Sequence, residues 1–178
     1  METVHIKING TSYEVAAGST ILEAAHSVGI EIPTLCYLKE INEIGACRIC
    51  VVEVKGAKSL VTACVYPVSE GMEVVTNSEK VMASRKTNLE LLLSTHDQNC
   101  LSCVRSTDCE LQRLCRDYGV NGQRFVGTRE RYALDDSAPH MIRDNNKCIL
   151  CRRCVAACRE NQAVGVIGPC LLYTSDAA

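Results

Sequence analysis

The sequence has few aromatic residues, no apolar run of membrane-spanning length and no basic tract. It contains no Trp and one Phe, and aromatic residues make up 4% of its 178 residues. This excludes a large aromatic core, and small domains with little core need another source of stability, such as disulfides or bound metal. No apolar stretch approaches the roughly 20 residues that span a bilayer. The net charge of −2, without a basic tract, argues against a nucleic-acid partner.

The amino terminus also lacks the features of a secretory signal. Residues 1–8 contain no basic region followed by a long apolar stretch. We therefore expect a cytoplasmic protein, and in that compartment a Cys-rich chain binds metal or acts catalytically more often than it forms disulfides. The 13 Cys of the chain are accordingly interpreted as metal ligands wherever their spacing allows it.

Residues 1–78 predict an α+β domain built around one hairpin and one helix. Apolar and polar residues alternate over 4–8 and again over 12–15, which predicts two strands. Between them, Asn9-Gly10 is the strongest short hairpin signal. Thr20-Ile-Leu-Glu23 is a capping box that opens a helix. This order of elements is typical of the opening of a β-grasp fold. Further strands are predicted at Val51–Val54 and Leu60–Val61.

Four cysteines of this domain have the order of a [2Fe–2S] ferredoxin site. Their spacing is C-x10-C-x2-C-x13-C, whereas plant-type ferredoxins have C-x4-C-x2-C and a distant fourth Cys. Gly45 and Ala46 precede the second Cys, and small residues let backbone N–H groups approach an anionic cluster closely. Four thiolates suit zinc equally well, so a zinc site remains the alternative. The predicted ligands are Cys36, Cys47, Cys50 and Cys64.

Residues 79–118 predict a small helical domain with a mixed ligand set. A helical run follows Ser78 and leads into the pattern H-x3-C-x2-C-x5-C. The three Cys have no fourth thiol partner, and the His precedes them directly, so we interpret the set as the ligands of a [4Fe–4S] cluster. Neutral imidazole in place of a thiolate changes the net charge of a cluster, which is one determinant of its reduction potential. The predicted ligands are His96, Cys100, Cys103 and Cys109.

Cys115 is the cysteine of this segment that we do not assign to metal. It falls at helical spacing with Leu111 and Leu114, after Asp108 as the predicted N-cap. Free Cys is among the most frequently buried residue types. We therefore expect Cys115 to pack in the core.

The third candidate site follows a predicted linker. Residues 119–138 are rich in Gly and charge and end in turn residues, whereas 139–169 contain the spacing C-x2-C-x2-C-x3-C. In bacterial ferredoxins the first three Cys of this pattern bind one [4Fe–4S] cluster and the fourth binds another. We therefore expect half of a bacterial-type ferredoxin domain, with Arg152 and Arg153 on its surface. Its incomplete ligand sets are Cys148, Cys151 and Cys154, which lack a fourth ligand, and Cys158, which lacks three partners.

The last nine residues differ from the rest of the chain. Cys170–Ala178 match a translated sequencing adapter and have no helix or strand period. We interpret 170–178 as an adapter scar and exclude it from the fold. Cys170 is then not a ligand. The alternative is that Cys170 completes the Cys148, Cys151 and Cys154 set.

The amino-acid sequence around these sites resembles that of one group of enzymes. The cluster order and four sequence runs are similar to the N-terminal electron-transfer region of [FeFe] hydrogenases, most closely the catalytic subunit of NAD(P)-linked, multi-subunit enzymes. Related cluster series open the large iron–sulfur subunit of respiratory complex I and some formate dehydrogenases. The four runs are Ile32-Pro-Thr-Leu-Cys36, Glu43-Ile-Gly-Ala-Cys-Arg-Ile-Cys50, Thr95-His-Asp-Gln-Asn-Cys100 and Asn146-Lys-Cys-Ile-Leu-Cys-Arg-Arg-Cys154.

The resemblance implies a part of an oxidoreductase of the NADP-reducing hydrogenase type. Electrons would pass between NAD(P)-binding, flavin- and iron–sulfur-containing partner subunits and an H-cluster whose ligands these residues do not include. The chain would carry one [2Fe–2S] cluster, one His-ligated [4Fe–4S] cluster and ligands for two further [4Fe–4S] clusters, with no catalytic residue. Two alternatives remain open at this point. One is the amino-terminal part of a NAD-linked formate dehydrogenase or complex I-like subunit, and the other is a zinc-binding interaction module.

Overall fold

The computed structural model describes residues 2–122, 124–125, 131–170 and 174–177, and the chain is a mixed α+β protein as the sequence predicted. It divides into two compact units. The first comprises residues 1–39 and 43–88, and the second comprises 40–42 and 89–178. The second unit therefore contains the predicted 139–169 segment and all of the predicted 79–118 segment except residues 79–88, which belong to the first unit.

A five-stranded sheet forms the frame of the first unit. Its strand order is β2-β1-β5-β3-β4, with β1 parallel to β5 and the other neighbours antiparallel. The β1–β2 turn has φ values of 52° at Asn9 and 87° at Gly10. Two left-handed residues are what a type I′ hairpin turn requires, so this prediction is confirmed. The strands are β1 Thr3–Ile8, β2 Thr11–Ala16, β3 Val51–Val54, β4 Val61–Thr62 and β5 Glu73–Val75.

Helix α1, Ile21–Ser27, packs its apolar side on this sheet. The predicted capping box is present, since the Thr20 hydroxyl accepts from the Glu23 amide and the Glu23 carboxylate accepts from the Thr20 amide. The helix ends at Val28 and Gly29, where Gly29 has a φ of 77°. Buried side chains of the helix and sheet form one core that includes Ile6, Ile8, Leu22, Val52 and Val74.

The sequence did not predict strand β5, Glu73–Val75, although it lies in the middle of the sheet. Its alternation of buried and more exposed residues is short. Met72 and Val74 are buried, and they alternate with Glu73 and the exposed Val75. Three residues give too few alternations for a periodicity test. The strand is fixed by its neighbours instead, because it pairs with β1 on one side and with β3 on the other.

The second unit combines short helices with two hairpins. The predicted 119–138 linker ends in strand β6, which pairs with β7 across a turn at Pro139 and His140. Strands β8 and β9 pair antiparallel, although residues 170–178 show no strand period. The elements are α2 Glu79–Thr95, α3 Glu110–Asp117, β6 Asp135–Ala138, β7 Met141–Arg143, α4 Arg153–Ala156, β8 Ile167–Cys170 and β9 Thr174–Ala177.

Helix α2 is the longest helix and begins in the first unit. Its predicted start is confirmed, because the Ser78 hydroxyl accepts from the Val81 amide at 3.3 Å. Helix α3 was predicted to be capped by Asp108, and that prediction is wrong. The N-cap is Cys109, which has extended backbone angles and whose sulfur accepts from the Gln112 amide. In the part of the chain that the structure describes, no helix combines the length and apolarity needed to cross a membrane.

Candidate metal centres

The four cysteines of the first predicted set come from loops at one end of the first unit. Cys36 follows helix α1, Cys47 and Cys50 precede strand β3, and Cys64 follows strand β4. Cys36, Cys50 and Cys64 are each at most 1% exposed. Cys47 is partly exposed. Three of the four thiols are therefore shielded from water by the domain itself.

These four thiols meet as two pairs. The Sγ atoms of Cys50 and Cys64 lie 3.4 Å apart. A hydrogen bond with Cys36 holds the pKa of Cys47 at about 6, below its ordinary value, while the same bond and burial raise the pKa of Cys36. In the second pair, the bond between the two sulfurs lowers the pKa of Cys50 and raises that of Cys64. Thiols bind metal as thiolates, so metal binding to either pair would release the protons that its sulfurs hold.

The loop before β3 is shaped to bring its backbone close to sulfur. Arg48, between Cys47 and Cys50, has a φ of 57°, and Gly45 has a φ of 62°. A side chain at Gly45 would meet the Thr62 hydroxyl at 3.3 Å from its Cβ. A backbone hydrogen bond from Ala46 lowers the pKa of Cys36, although the Cys47 thiol and burial outweigh it. The expectation that small residues here allow close backbone approach agrees with this geometry.

Helix α1 holds the Cys64 loop by its first turn. The Ile21 amide donates to the Tyr66 carbonyl at 2.9 Å, and the Leu22 amide donates to the Ala63 carbonyl at 2.9 Å. The first amides of a helix have no partner within the helix itself, so these two bonds satisfy them. The acceptors lie on both sides of Cys64, and the fold of the sheet and helix thereby fixes the position of that thiol.

Two side chains of helix α2 hold the Cys47–Cys50 loop, and the sequence prediction missed both. Arg85 is 3% exposed, and its Nη2 donates to the Val51 carbonyl at 2.8 Å. Asn88, nearly one turn later, donates to the Arg48 carbonyl at 2.9 Å. A signal for Arg85 existed in the sequence, because it lies four residues from each of the buried Val81 and Leu89. A charge within an apolar stripe indicates a buried polar contact.

The second predicted set lies in the second unit, between helices α2 and α3. His96 follows the end of α2, and its Nδ1 atom is shielded from solvent. Cys100 begins a 3₁₀ turn, and the Cys103 amide donates to the Cys100 carbonyl at 3.1 Å. Cys109 is the N-cap of α3. Tight turns and a helix cap thus hold the four residues, and the three thiols of the set are half-buried.

Cys115 lies on helix α3 beside the buried Leu111 and Leu114 and is half-buried. Burial is the largest cause that raises its pKa to about 11, and the nearby Cys109 and Cys100 contribute to the same shift. Packing against α3 neighbours agrees with the sequence prediction.

The raised pKa predicts a slow reaction of Cys115 with iodoacetamide. Only the thiolate reacts, so at pH 8 we expect a rate roughly 100-fold below that of an ordinary exposed Cys, whose pKa is near 8.5. The rate should rise with pH through about 11. Mass spectrometry of the alkylated Cys115 peptide measures it, with Cys115→Ser as the blank. A rate that levels off near pH 8.5 would contradict the burial that the structure shows.

Three cysteines of the third predicted set lie on a tightly turned segment of the second unit, Cys148–Cys154, which we call the curl. Leu150 has a φ of 56° and Arg152 a φ of 60°, both left-handed in residues other than Gly. The Leu150 amide donates to the Cys148 sulfur at 3.4 Å. Such backbone costs about 1–2 kcal/mol per residue and is retained where function requires it. Cys158 is 9% exposed and lies in the π-helical turn Ala157–Asn161, apart from the curl in sequence.

Two neighbours of the curl form specific contacts. Asn42 is 3% exposed and donates to the Cys151 carbonyl at 2.9 Å. Arg153 was expected on the surface, but its Nη1 lies 2.7 Å from the Glu110 carboxylate and its side chain is 29% exposed. Arg153 is therefore partly exposed, with an acidic partner from helix α3 covering part of it. Arg152 is exposed, as predicted.

The described residues contain no group of three His, Cys, Asp or Glu side chains arranged around the position of a single metal ion. The side chains of residues 170–178 lie outside this description, so the structure does not describe whether Cys170 meets the curl. The Cys36, Cys47, Cys50 and Cys64 thiols meet in pairs instead. A two-iron cluster takes its protein ligands two per iron, so the pairs fit that kind of group.

Two family models match the chain. Residues 1–79 match the model of a 2Fe-2S iron–sulfur cluster binding domain. Residues 85–124 match the model of an NADH-ubiquinone oxidoreductase-G iron–sulfur binding region. The first match contains all four cysteines of the first set, and the second contains His96 and the three cysteines of the second set.

Alignments with curated relatives cover nearly the whole chain. NADP-reducing hydrogenase subunit HndD of Solidesulfovibrio fructosivorans is 43% identical over 172 residues, which are 94% of this chain and 29% of that subunit. The alpha subunit of an NADPH-Fe(3+) oxidoreductase of Geobacter sulfurreducens is 40% identical over 88% of this chain and 19% of its own length. The chain therefore spans less than a third of the length of these curated relatives.

A solved structure extends the similarity to the fold. One chain of a crystal structure of a NAD+-reducing [NiFe]-hydrogenase in the H2-reduced state superposes with a TM-score of 0.89. It is 32% identical, and the match covers 98% of this chain and 75% of that one. Both the sequence and the arrangement of elements are therefore shared with a chain of a hydrogenase.

Proposed function

Because the chain belongs to the family of iron–sulfur electron-transfer regions of hydrogenase-type subunits, we propose that it relays electrons through three successive ligand sets. Iron–sulfur clusters, when bound, supply one-electron carriers. The residues of this chain hold them, exclude water and set their charge environment. The observation that carries the proposal is the meeting of four thiols, three of them shielded from water, in two pairs within a domain that matches a 2Fe-2S model.

For the first set, we propose a [2Fe–2S] cluster in a β-grasp domain comprising residues 1–78. Cys36 and Cys47 would serve one iron, and Cys50 and Cys64 the other, since each pair already shares a hydrogen bond. Supporting this, backbone N–H groups face the thiols, and hydrogen bonds to sulfur stabilise an anionic cluster. A helix packed on a mixed sheet with parallel central strands β1 and β5 is the arrangement expected of a β-grasp fold.

For the second set, we propose a [4Fe–4S] cluster held by one imidazole and three thiolates. The match of residues 85–124 to an iron–sulfur binding region supports it. The burial of His96 Nδ1 and the position of Cys109 at the cap of α3 agree with ligands held before metal binds. The assigned ligands are His96, Cys100, Cys103 and Cys109.

For the third set, we propose that the curl holds three corners of a further [4Fe–4S] cluster in a ferredoxin-type segment at 139–169. The left-handed φ values of Leu150 and Arg152, which lie between the three cysteines in the sequence, support this assignment. Cys158 would serve a different cluster, as the spacing indicates. The ligands that this chain supplies are Cys148, Cys151 and Cys154 for one cluster and Cys158 for the other.

We propose that the whole protein couples NAD(P) and H2, with partner subunits that bind the nicotinamide. The relatives named as hydrogenases support this, and one of them is named as NADP-reducing. The NADPH-Fe(3+) oxidoreductase relative and the match to an NADH-ubiquinone oxidoreductase-G region favour a second candidate. In it the same relay would lead to a catalytic domain other than that of a hydrogenase. The coding DNA that adjoins that of these residues distinguishes the two: Cys motifs of an H-cluster domain support the first, and a different terminal domain contradicts it.

Reversible electron uptake tests the relay itself. The chain reconstituted anaerobically with iron and sulfide should take up at least one electron for each of the first two clusters from dithionite and return them to an oxidised viologen. The same titration with Cys50→Ala should lack the contribution of the first cluster only. Failure of the wild-type chain to accept and return electrons would overturn the proposed function.

Replacing His96 by Cys tests its proposed ligation. A thiolate adds one negative charge to the second cluster, so we expect a cluster that survives with a lower midpoint potential and an altered EPR signal. The matched control is His140→Cys, at an exposed turn between β6 and β7. Potentiometric EPR of both variants provides the measurement. An unchanged signal and potential in the His96 variant would show that His96 is not a ligand.

A further inference from the structure

Two ion pairs link the segments that carry the second and third ligand sets. The Lys147 Nζ lies 2.8 Å from the Asp97 carboxylate, and the Arg153 Nη1 lies 2.7 Å from the Glu110 carboxylate. The partners are separated by 50 and 43 positions in the sequence, so neither pair is a contact along one helix. All four residues belong to the second unit.

Each of the four paired residues is adjacent in the sequence to a proposed cluster ligand. Each acid directly follows a proposed ligand of the second set: Asp97 follows His96, and Glu110 follows Cys109. Each base directly precedes a proposed ligand of the third set: Lys147 precedes Cys148, and Arg153 precedes Cys154. Consecutive Cα atoms are about 3.8 Å apart, so every ion pair is one residue removed from a ligand at both ends.

Lys147 has hydrogen-bond acceptors for each of its donors. Besides the Asp97 carboxylate, its ammonium donates to the Asp97 carbonyl at 3.1 Å and to the Asn99 carbonyl at 3.2 Å. An ammonium has three donors, and all three are directed at the stretch between His96 and Cys100. The backbone adds a fourth bond, because the Asp97 amide donates to the Asn146 carbonyl at 2.9 Å.

The bases of the two pairs are partly shielded from water, while their acidic partners are more open. The side chains of Lys147 and Arg153 are 20% and 29% exposed, and those of Asp97 and Glu110 are 46% and 40% exposed. Through its bonds to Asp97 and Asn99, the Lys147 ammonium lies beside the segment that joins His96 to Cys100, and in sequence it adjoins Cys148. Charge near a cluster is one of the determinants of its reduction potential.

We propose that the Asp97–Lys147 and Glu110–Arg153 pairs are positioning elements that hold the second and third ligand sets in register and balance the charge at the second cluster. This rests on the proposed function, since it takes both sets as cluster ligands. An unbalanced acid disfavours the electron-rich state of the cluster, and an unbalanced base favours it. Loss of a base and loss of an acid should therefore shift the potential in opposite directions.

Four charge-removing variants of the reconstituted chain test this, read by potentiometric EPR of the second cluster. Lys147→Met and Arg153→Met should lower its midpoint potential, and Asp97→Asn and Glu110→Gln should raise it. Asparagine at 97 keeps an acceptor for the Asn99 amide, which lies 3.2 Å from the carboxylate oxygen. The Asp97→Asn/Lys147→Met double variant should return towards the wild-type potential. Lys58→Met, at an exposed residue of the first unit, is the matched control and should cause no shift.

Hydrogen exchange measures the contact between the two ligand segments independently of the EPR signal of the cluster. Hydrogen exchange of the peptide containing Asp97 should be faster in Lys147→Met than in the wild type, because its amide bond to Asn146 loses the support of the ammonium. Lys147→Arg keeps the charge and should keep the potential, even if exchange rises. Shifts of one sign in all four variants, or no shift with unchanged exchange, would overturn the proposal. A wild-type chain without a second cluster would instead overturn the proposed function, and the exchange comparison would still test the link.

Discussion

Replacing Cys64 by Ala is expected to abolish the [2Fe–2S] cluster and to remove about two irons per chain. Cys64 lies 3.4 Å from Cys50, and both are at most 1% exposed, so its thiol is an integral part of this buried pair. A three-thiolate set leaves one iron short of a ligand in a water-shielded site. Iron and sulfide analysis together with EPR of the reduced protein measures the loss.

Cys115→Ala is the matched control for that experiment. Cys115 is half-buried on helix α3 and outside all three proposed ligand sets, so its removal should leave the iron content unchanged. The signals of the second cluster should persist in both variants. Retention of the [2Fe–2S] signal in Cys64→Ala would remove Cys64 from the ligand set, and loss of iron in Cys115→Ala would add Cys115 to the second one.

Replacing Leu22 by Ala is expected to destabilise the first unit by about 2–5 kcal/mol, the range for Leu→Ala in a packed core. Leu22 is fully buried between helix α1 and the sheet, in the core that includes Ile6, Ile8 and Val52. For a unit of this size the thermal midpoint should fall by roughly 10 °C or more. Because the Leu22 amide also holds the Ala63 carbonyl beside Cys64, cluster retention should fall on warming at the same time.

The same substitution at an exposed position provides the control. Leu91, on helix α2, is 47% exposed, and Leu91→Ala should change stability by no more than about 0.5 kcal/mol. Circular dichroism and the visible absorbance of the cluster, followed in one thermal scan, compare the two variants. Equal midpoints for both would contradict the core that the structure assigns to Leu22.

Local signals in the sequence predicted the elements that local chemistry determines. The Asn9-Gly10 turn, the Thr20–Glu23 capping box and strands β1 to β3 depend on residues close together in the chain, and all are present. Strand β4 was predicted one residue early, at 60–61 instead of Val61–Thr62. The mixed α+β class and the iron–sulfur binding regions were also predicted, because motif spacing and periodicity carry that information.

The features that the sequence did not indicate depend on partners far along the chain. Strand β5 is defined by pairing with β1 and β3 rather than by its own period. Lys147 contacts Asp97, which lies 50 positions away in the sequence, and Asn88 donates to the Arg48 carbonyl, which lies 40 positions away. Cys109 takes the cap of α3 that Asp108 was predicted to hold, since its backbone is extended and its sulfur faces the Gln112 amide. A single sequence contains no signal for such pairings.

We propose that these ligand sets hold redox-active clusters rather than zinc. Anaerobic reconstitution with iron and sulfide in the presence of equimolar zinc, followed by metal analysis and potentiometric EPR, tests it most directly. We predict iron-loaded, coloured protein with at least two reducible clusters of distinct EPR signals, one lost in Cys64→Ala and the other altered in His96→Cys. Stoichiometric zinc, colourless protein and no reducible cluster would contradict the account.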